Sequence, residues 1–238
     1  PASGKRIYDL PQLTAGEVFA AVARARVAQQ EWAALGAAER GKRLLALHDA
    51  MFAHESQLLD LLQLETGKSR AHAFEEFAGA VSAARYYGKI APKQLKRKRT
   101  NSGVPLLTST WVDHIPIGVV GIVTPWNYPL ALTMLDVSPA LAAGNAVVLK
   151  PAEATSLIAL ELAKIFEEAG LPKGLLSVLV GRGSVIGDAI AQHPLVRKIS
   201  FTGGTTTGRH LAHIAADKLI TTSLELGGKS PTIVLPDA

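Results

Sequence analysis

The chain has 238 residues, 48 % hydrophobic and 19 % charged, with 21 glycines and 13 prolines, which is the profile of a globular α/β protein with one good core or two subdomains. It holds no cysteine, which excludes a disulfide scaffold, a thiolate zinc site and a cysteine nucleophile within these residues. The formal charge of +5 traces to one run between Lys93 and Arg99, no stretch of 18 uninterrupted apolar residues occurs, and PASGKRIYDLPQL lacks the apolar centre of a secretory signal, so a cytoplasmic protein that spans no membrane is expected.

The first hundred residues read as helices. Thr14 and Glu17 form a capping box before VFAAVARARVAQQEWAAL, where Val18, Val22, Ala25 and Trp32 recur near helical spacing. A longer amphipathic helix is expected over 38–64, with Leu44, Leu47, Met51, Leu58, Leu61 and Leu62 as its core stripe, and a third over 70–91 carrying Phe74, Phe77, Val81 and Tyr86. The basic run KQLKRKR follows. Such a run can bind nucleic acid, but no aromatic residue interleaves it and no nucleic-acid motif surrounds it, so it reads as a solvated connector and no nucleic-acid partner is expected. Next, PLLTSTWVDHIP reads as an extended arm, an exposed or intermolecular edge strand.

From 117 onward short apolar runs alternate with helical patterns. Strands are expected at 118–124, 146–150, 175–180, 198–203 and 219–226, with helices near 130–142, 155–169, 184–192 and 205–216. Strands that are each followed by one helix make a doubly wound, mostly parallel, Rossmann-like sheet of five strands, with the helical segment and the arm attached. Ligands of such sheets lie beyond the carboxyl ends of the strands.

Two Gly-Lys-Ser strings, 67–69 and 228–230, suggest phosphate loops. Both fail, because the glycine required five positions before Gly67 or Gly228 is Leu62 or Ser223. The first string closes a helix, where glycine is a common C-cap; the second runs into Pro231 and an extended segment with no helix to cradle phosphates. GRGSVIG, with Gly181, Gly183 and Gly187 after a strand, is one residue too long for a dinucleotide fingerprint; it is either a tight turn with close helix packing or a cofactor contact. FTGGTTTG offers backbone N–H groups, hydroxyls and a helix N-terminus suited to a pyrophosphate. His210 and His213 follow it without a second ligand pair, so no metal site is expected. TPWNYP fixes Asn127 between two prolines at a strand end, where an amide can donate to a developing oxyanion; LKPAE puts Lys150 and Glu153 at another, where a carboxylate suits ribose hydroxyls. Taken singly, each of these could equally be a cap or a surface residue.

Together, PWNYP, GNAVVLKPAE, FTGGTTTG and LELGGKSP, in this order on the strand ends of one sheet, resemble the aldehyde dehydrogenase superfamily. The resemblance extends over nearly the whole chain, including ETGK in the helical part. It implies two catalytic residues: Asn127 stabilises the oxyanion of a tetrahedral intermediate, and Glu225, as a buried carboxylate with a raised pKa, activates water for thioester hydrolysis. It also implies NAD as cofactor. Lys150 and Glu153 hold the adenosine ribose, with Ala152 between them, and Thr124, Pro125 and Trp126 line the cofactor path. Gly203 and the helix after it, with Gly204, Thr207 and Gly208, meet the pyrophosphate. Phe201, Thr202 and Leu226 complete the wall, and Gly183 and Gly187 lie near the adenine. Glu153 would repel a 2′-phosphate, which favours NAD over NADP. Many relatives have serine in place of Gly204, so one hydroxyl donor is missing here.

The family's nucleophilic cysteine would fall past Ala238. The implied organisation is an N-terminal helical part of the NAD-binding domain (1–104), an oligomerisation arm (105–117) and a Rossmann-like core (118–238), with the catalytic domain absent and this chain alone inactive. The expected substrate is a small aldehyde, with a semialdehyde as one option, and the full-length protein is expected to be a homodimer or homotetramer. The alternative is a non-catalytic dinucleotide-binding or regulatory module.

Overall fold

The computed structural model describes residues 1, 4–104 and 106–238. Four helices come first: α1 (Ala15–Ala34), α2 (Ala37–Ala53), α3 (Glu55–Thr66) and α4 (Arg70–Gln94). The capping box forms as expected, with the Thr14 hydroxyl accepting from Glu17 N–H and Glu17 accepting from Thr14 N–H at 2.8 Å. The single helix expected over 38–64 is two. At His54 the backbone leaves the helical region (φ −103°, ψ 16°), and the ring Nδ1 bonds the Ala50 carbonyl at 2.9 Å, closing one helix and opening the next. The apolar stripe runs through this break, because both helices bury the same face. Gly67 ends α3 in the left-handed conformation (φ 75°), as the reading of a glycine C-cap requires.

The arm differs from expectation. Strand β1 (Lys98–Thr100) pairs antiparallel with β2 (Thr110–Val112), so the basic run is solvent-exposed as expected and links α4 to the arm, but its last two residues, Lys98 and Arg99, already belong to a hairpin. The sequence could not show why: the Arg97 guanidinium lies 4.8 Å from the centre of the Trp111 ring and pairs with Asp113, contacts that exist only once the chain doubles back. The expected boundary at Pro105 lies outside the described residues.

The remaining elements are β3 (Val119–Val123), α5 (Pro129–Ala142), β4 (Ala146–Lys150), α6 (Ser156–Glu168), β5 (Leu176–Val178), α7 (Gly183–Gln192), β6 (Val196–Thr202), α8 (Thr205–Asp217) and β7 (Thr221–Glu225). The five strands β3–β7 pair entirely in parallel, in the spatial order β5-β4-β3-β6-β7. The central strands β3 and β4 are Val- and Leu-rich and almost wholly buried, as a sheet covered on both faces demands. Helices α5 and α6 cover one face, and α7 and α8 the other, so the fold is doubly wound and Rossmann-like. The chain steps outward from β3 to β5 and then returns to place β6 on the other side of β3. The loops after β3 and β6 therefore diverge, leaving a crevice at the carboxyl ends between them.

The N-terminal helices hold α5 at both ends. At its start the Glu76 carboxylate, buried on α4, accepts from Leu130 N–H (2.7 Å) and Ala131 N–H (3.2 Å). At its finish Trp32 Nε1–H donates to Leu141 O (2.8 Å), Arg40 to Ala142 O (3.1 Å) and Gln29 to Gly144 O (2.9 Å). The orphan donors and acceptors of a helix are thus satisfied from another layer. Helix α6 is treated alike: the Glu65 carboxylate accepts from Leu157 and Ile158 N–H at 2.7 and 2.9 Å, and burial pushes its pKa up.

Candidate functional site

Two adjoining cavities open at the carboxyl ends of the strands. The first, about 580 Å³, lies across β3, β4 and β6 against the starts of α7 and α8; the second, about 660 Å³, runs from the β3–α5 loop to the end of β7. They share Pro125, Trp126, Thr202 and Gly203.

Lys150 is the last residue of β4 and only 5 % exposed. Its ammonium donates to the Pro151 carbonyl at 2.9 Å, and burial lowers its pKa although nearby Glu153 works the other way. An ammonium carries three donors, so two remain for a ligand entering the first cavity. Glu153 stands in a short 3-10 turn after β4, and one of its oxygens accepts from Gly183 N–H at 3.1 Å, linking the β4 loop to the start of α7. The cavity is open where side chains would fill it: around a Cβ at Gly183, Gly187 or Gly204 no atom lies within 4 Å. Gly203 is different, since a Cβ there would meet the Phe201 ring at 2.7 Å. Its N–H donates to Glu225 O at 3.0 Å, which ties the β6 loop to β7. A buried ammonium with free donors beside an open glycine-lined trough fits an elongated ligand rich in hydroxyls and phosphates, as a dinucleotide is.

In the second cavity Asn127 accepts from Tyr128 N–H through Oδ1 (3.1 Å), while its Nδ2 donates to no described residue. The loop carrying it is braced from the helical layer. Lys68, next to the C-cap glycine, forms an ion pair with buried Glu76, and its ammonium lies 3.9 Å from the centre of the Tyr128 ring. Lys68, from the Gly-Lys-Ser at 67–69, thus supports the Asn127 loop. Glu225, the last residue of β7, opens onto the same cavity, but it is exposed where a buried carboxylate was expected. The reason is its place on the outermost strand of the sheet, whose outer edge no element covers among the described residues.

Every expected cofactor residue lines the first cavity except two: Leu226 lines the second, and Gly208 is buried with its Cα face against Leu226, so that a Cβ would stand 2.5 Å from Leu226 Cδ2. Three ionisable lining residues were not anticipated. Asp136, on α5, lines the second cavity near Asn127; it accepts from the Ser200 hydroxyl at 2.9 Å, and burial pushes its pKa up, with the Glu225 charge adding to the effect. An acid inside the apolar string LTMLDVSPAL was the available signal. Asp188 and His210 meet across α7 and α8 on the wall of the first cavity. They stand 22 residues apart, and nothing local pairs them.

Residues 1–238 match the family model described as the aldehyde dehydrogenase family. A Mycolicibacterium smegmatis protein named "Putative succinate-semialdehyde dehydrogenase", with NADP(+) in its name, is 44 % identical over 232 residues, covering 98 % of this chain and 44 % of that protein. Among solved structures, an NADP-dependent enzyme of E. coli superposes with a TM-score of 0.92 at 36 % identity, covering 95 % of this chain and 47 % of that one. A Staphylococcus aureus betaine aldehyde dehydrogenase solved with NAD+ gives 0.91 at 33 % identity, covering 96 % and 46 %. The chain spans less than half the length of the relatives it matches.

Proposed function

The chain belongs to the aldehyde dehydrogenase family, and from that premise we propose that it forms the NAD-binding part of an enzyme oxidising an aldehyde to a carboxylic acid through a cysteine thioester. The observation that carries this reading is the sharing of one wall, Pro125, Trp126, Thr202 and Gly203, by the two cavities. One holds the ammonium and carboxylate suited to a ribose, the other an amide donor and a carboxylate suited to acyl chemistry.

The dinucleotide, when bound, supplies the hydride acceptor. Lys150 donates to ribose hydroxyls with the two hydrogens it leaves unused, and Glu153 accepts from one of them with its free oxygen. That carboxylate would stand against a 2′-phosphate, which favours NAD over NADP; relatives carrying NADP in their names make this a point to measure. Asn127 Nδ2 donates to the oxyanion that forms when a thiolate adds to the aldehyde carbonyl. Glu225 takes the proton of the water that releases the acid. With no cysteine among its 238 residues, the chain leaves the thiolate to residues outside it, so alone it is expected to produce no NADH from any aldehyde. The regions 1–104, 105–117 and 118–238 act as helical brace, assembly arm and cofactor core. Leu107 and Ile115 on the arm, 83 % and 82 % exposed, support its burial in a homodimer or homotetramer of the full-length protein.

Calorimetric titration of the chain with NAD and NADP tests the reading. NAD is expected to bind more tightly, and Lys150→Ala to weaken it at least about tenfold, the loss of charge-assisted hydrogen bonds. Failure to bind either dinucleotide, or aldehyde-dependent NADH formation by the isolated chain, would overturn it.

A further inference from the structure

We propose that Asp188, held in place by His210, reads the base of the dinucleotide and selects adenine over purines with a 6-oxo group. The inference rests on the cofactor reading given above and concerns residues which that reading leaves without a role.

The orientation of a dinucleotide in the cleft is set by its two ends. Asn127 and Glu225 line the second cavity, so the reacting nicotinamide must lie at the shared wall. The base at the other end of the ligand then falls at the far side of the first cavity, beyond Lys150 and Glu153, where α7 and α8 run side by side. The walls there carry little bulk, since Gly183 and Gly187 leave open space where side chains would stand. Two ionisable groups stand on this wall. Asp188 follows Gly187 directly, and His210 lies three residues beyond Thr207; both line the cavity.

The His210 Nε2–H donates to Asp188 Oδ1 at 2.8 Å. This fixes the carboxylate rotamer and leaves Oδ2 without a partner in the described structure. An ionised carboxylate is an acceptor only, so a group that meets it must donate. Adenine presents an exocyclic amino group on its six-membered ring; hypoxanthine presents a carbonyl oxygen at the same position, which a carboxylate repels. The side chains of Asp188 and His210 are 34 % and 54 % exposed, so water moderates the contrast. A charge-assisted hydrogen bond at such a rim is expected to give about tenfold discrimination.

The test compares NAD with nicotinamide hypoxanthine dinucleotide by calorimetric titration of the 238-residue chain. The parent chain is expected to bind NAD about tenfold more tightly. Asp188→Asn, whose amide can offer either a donor or an acceptor, should bring the two affinities within about twofold of each other. His210→Ala should weaken NAD binding while keeping the order of preference, since the carboxylate remains but is less well held. Melting temperatures within about 2 °C of the parent would keep these effects separate from folding. Equal affinities in the parent, or an undiminished preference in Asp188→Asn, would refute the assignment while leaving the cofactor reading standing. If the folded parent bound neither dinucleotide, the cofactor reading would fall and this inference with it.

Discussion

Removing the Glu76 carboxylate gives the sharpest test of how the Asn127 loop is held. Glu76→Ala deletes the acceptor of two N–H groups at the start of α5 and the partner of the Lys68 ammonium, in a place where the Glu76 side chain is fully buried and Lys68 is 15 % exposed. Each orphaned buried donor costs about 1–3 kcal/mol, and breaking a buried ion pair from one side costs about 3–5 kcal/mol. These terms overlap, because one carboxylate serves all three donors, so the expected total is about 4–5 kcal/mol. That is a large share of the roughly 5–15 kcal/mol that keeps an ordinary domain folded, and it puts Glu76→Ala at the edge of folding. Glu76→Gln keeps the measurement alive. Its amide oxygen can still accept from Leu130 and Ala131 N–H, and only the pairing with Lys68 is lost, for an expected cost of about 3 kcal/mol, the lower end of the range for a buried pair broken from one side. Urea unfolding followed by far-ultraviolet circular dichroism reads both variants. A cost below about 1 kcal/mol for Glu76→Ala, or equal costs for the two variants, would show that the carboxylate does not cap α5 as described.

Other consequences follow from the same geometry. Gly187→Val should fold within about 1 kcal/mol of the parent, since nothing crowds that position, yet bind NAD at least about tenfold more weakly by filling the trough; unchanged affinity by calorimetry would contradict the placement of the cofactor. Gly121→Ala should destabilise by about 1–3 kcal/mol, because a Cβ there would meet Ile190 Cγ2 at 2.4 Å, and adding Ile190→Ala should cost less than the two single losses together; strict additivity in urea titrations would refute the clash. Asp136 has its pKa raised chiefly by burial, so its stabilising contribution is full below the ordinary aspartate pKa of about 3.9 and is lost as pH rises through the folded-state value. Asp136→Asn should therefore melt near the parent at about pH 4 and gain on it towards neutrality; the reverse trend in melting temperature would refute the attribution.

The sheet is legible in the sequence because its strands are buried on both faces. A run such as AVVLK, with Gly144 and Asn145 before it and Pro151 after it, leaves little room for another reading, and β4 occupies the expected residues. The residues expected at the two cavities are legible because most of them sit where a strand ends or where the next helix begins. What escapes depends on partners distant in sequence. The break at His54 has no glycine or proline to announce it, and the apolar stripe from Leu44 to Leu62 continues across it. The hairpin that takes in Lys98 and Arg99 escapes because its other strand, with Trp111 and Asp113 returning to meet Arg97, stands outside any local window. Lys68, Glu76, Asp188 and His210 each look like an ordinary surface group, and only the folded chain pairs them. The exposure of Glu225 follows from sheet order, which strand-by-strand patterning does not encode.

The two-ended hold on α5 carries a lesson for cutting and exchanging parts of this chain. A boundary drawn at Gly118 would look clean, since it precedes the first core strand. Yet such a cut would strip α5 of two acceptor contacts at its start and three donors at its finish, all supplied by residues between Gln29 and Glu76. The aim of the Asn127 amide is thus set far upstream, by a carboxylate 54 positions before Leu130. Transplanting the sheet into another scaffold without its helical layer would carry the strand-end motifs across and leave the amide without its mounting.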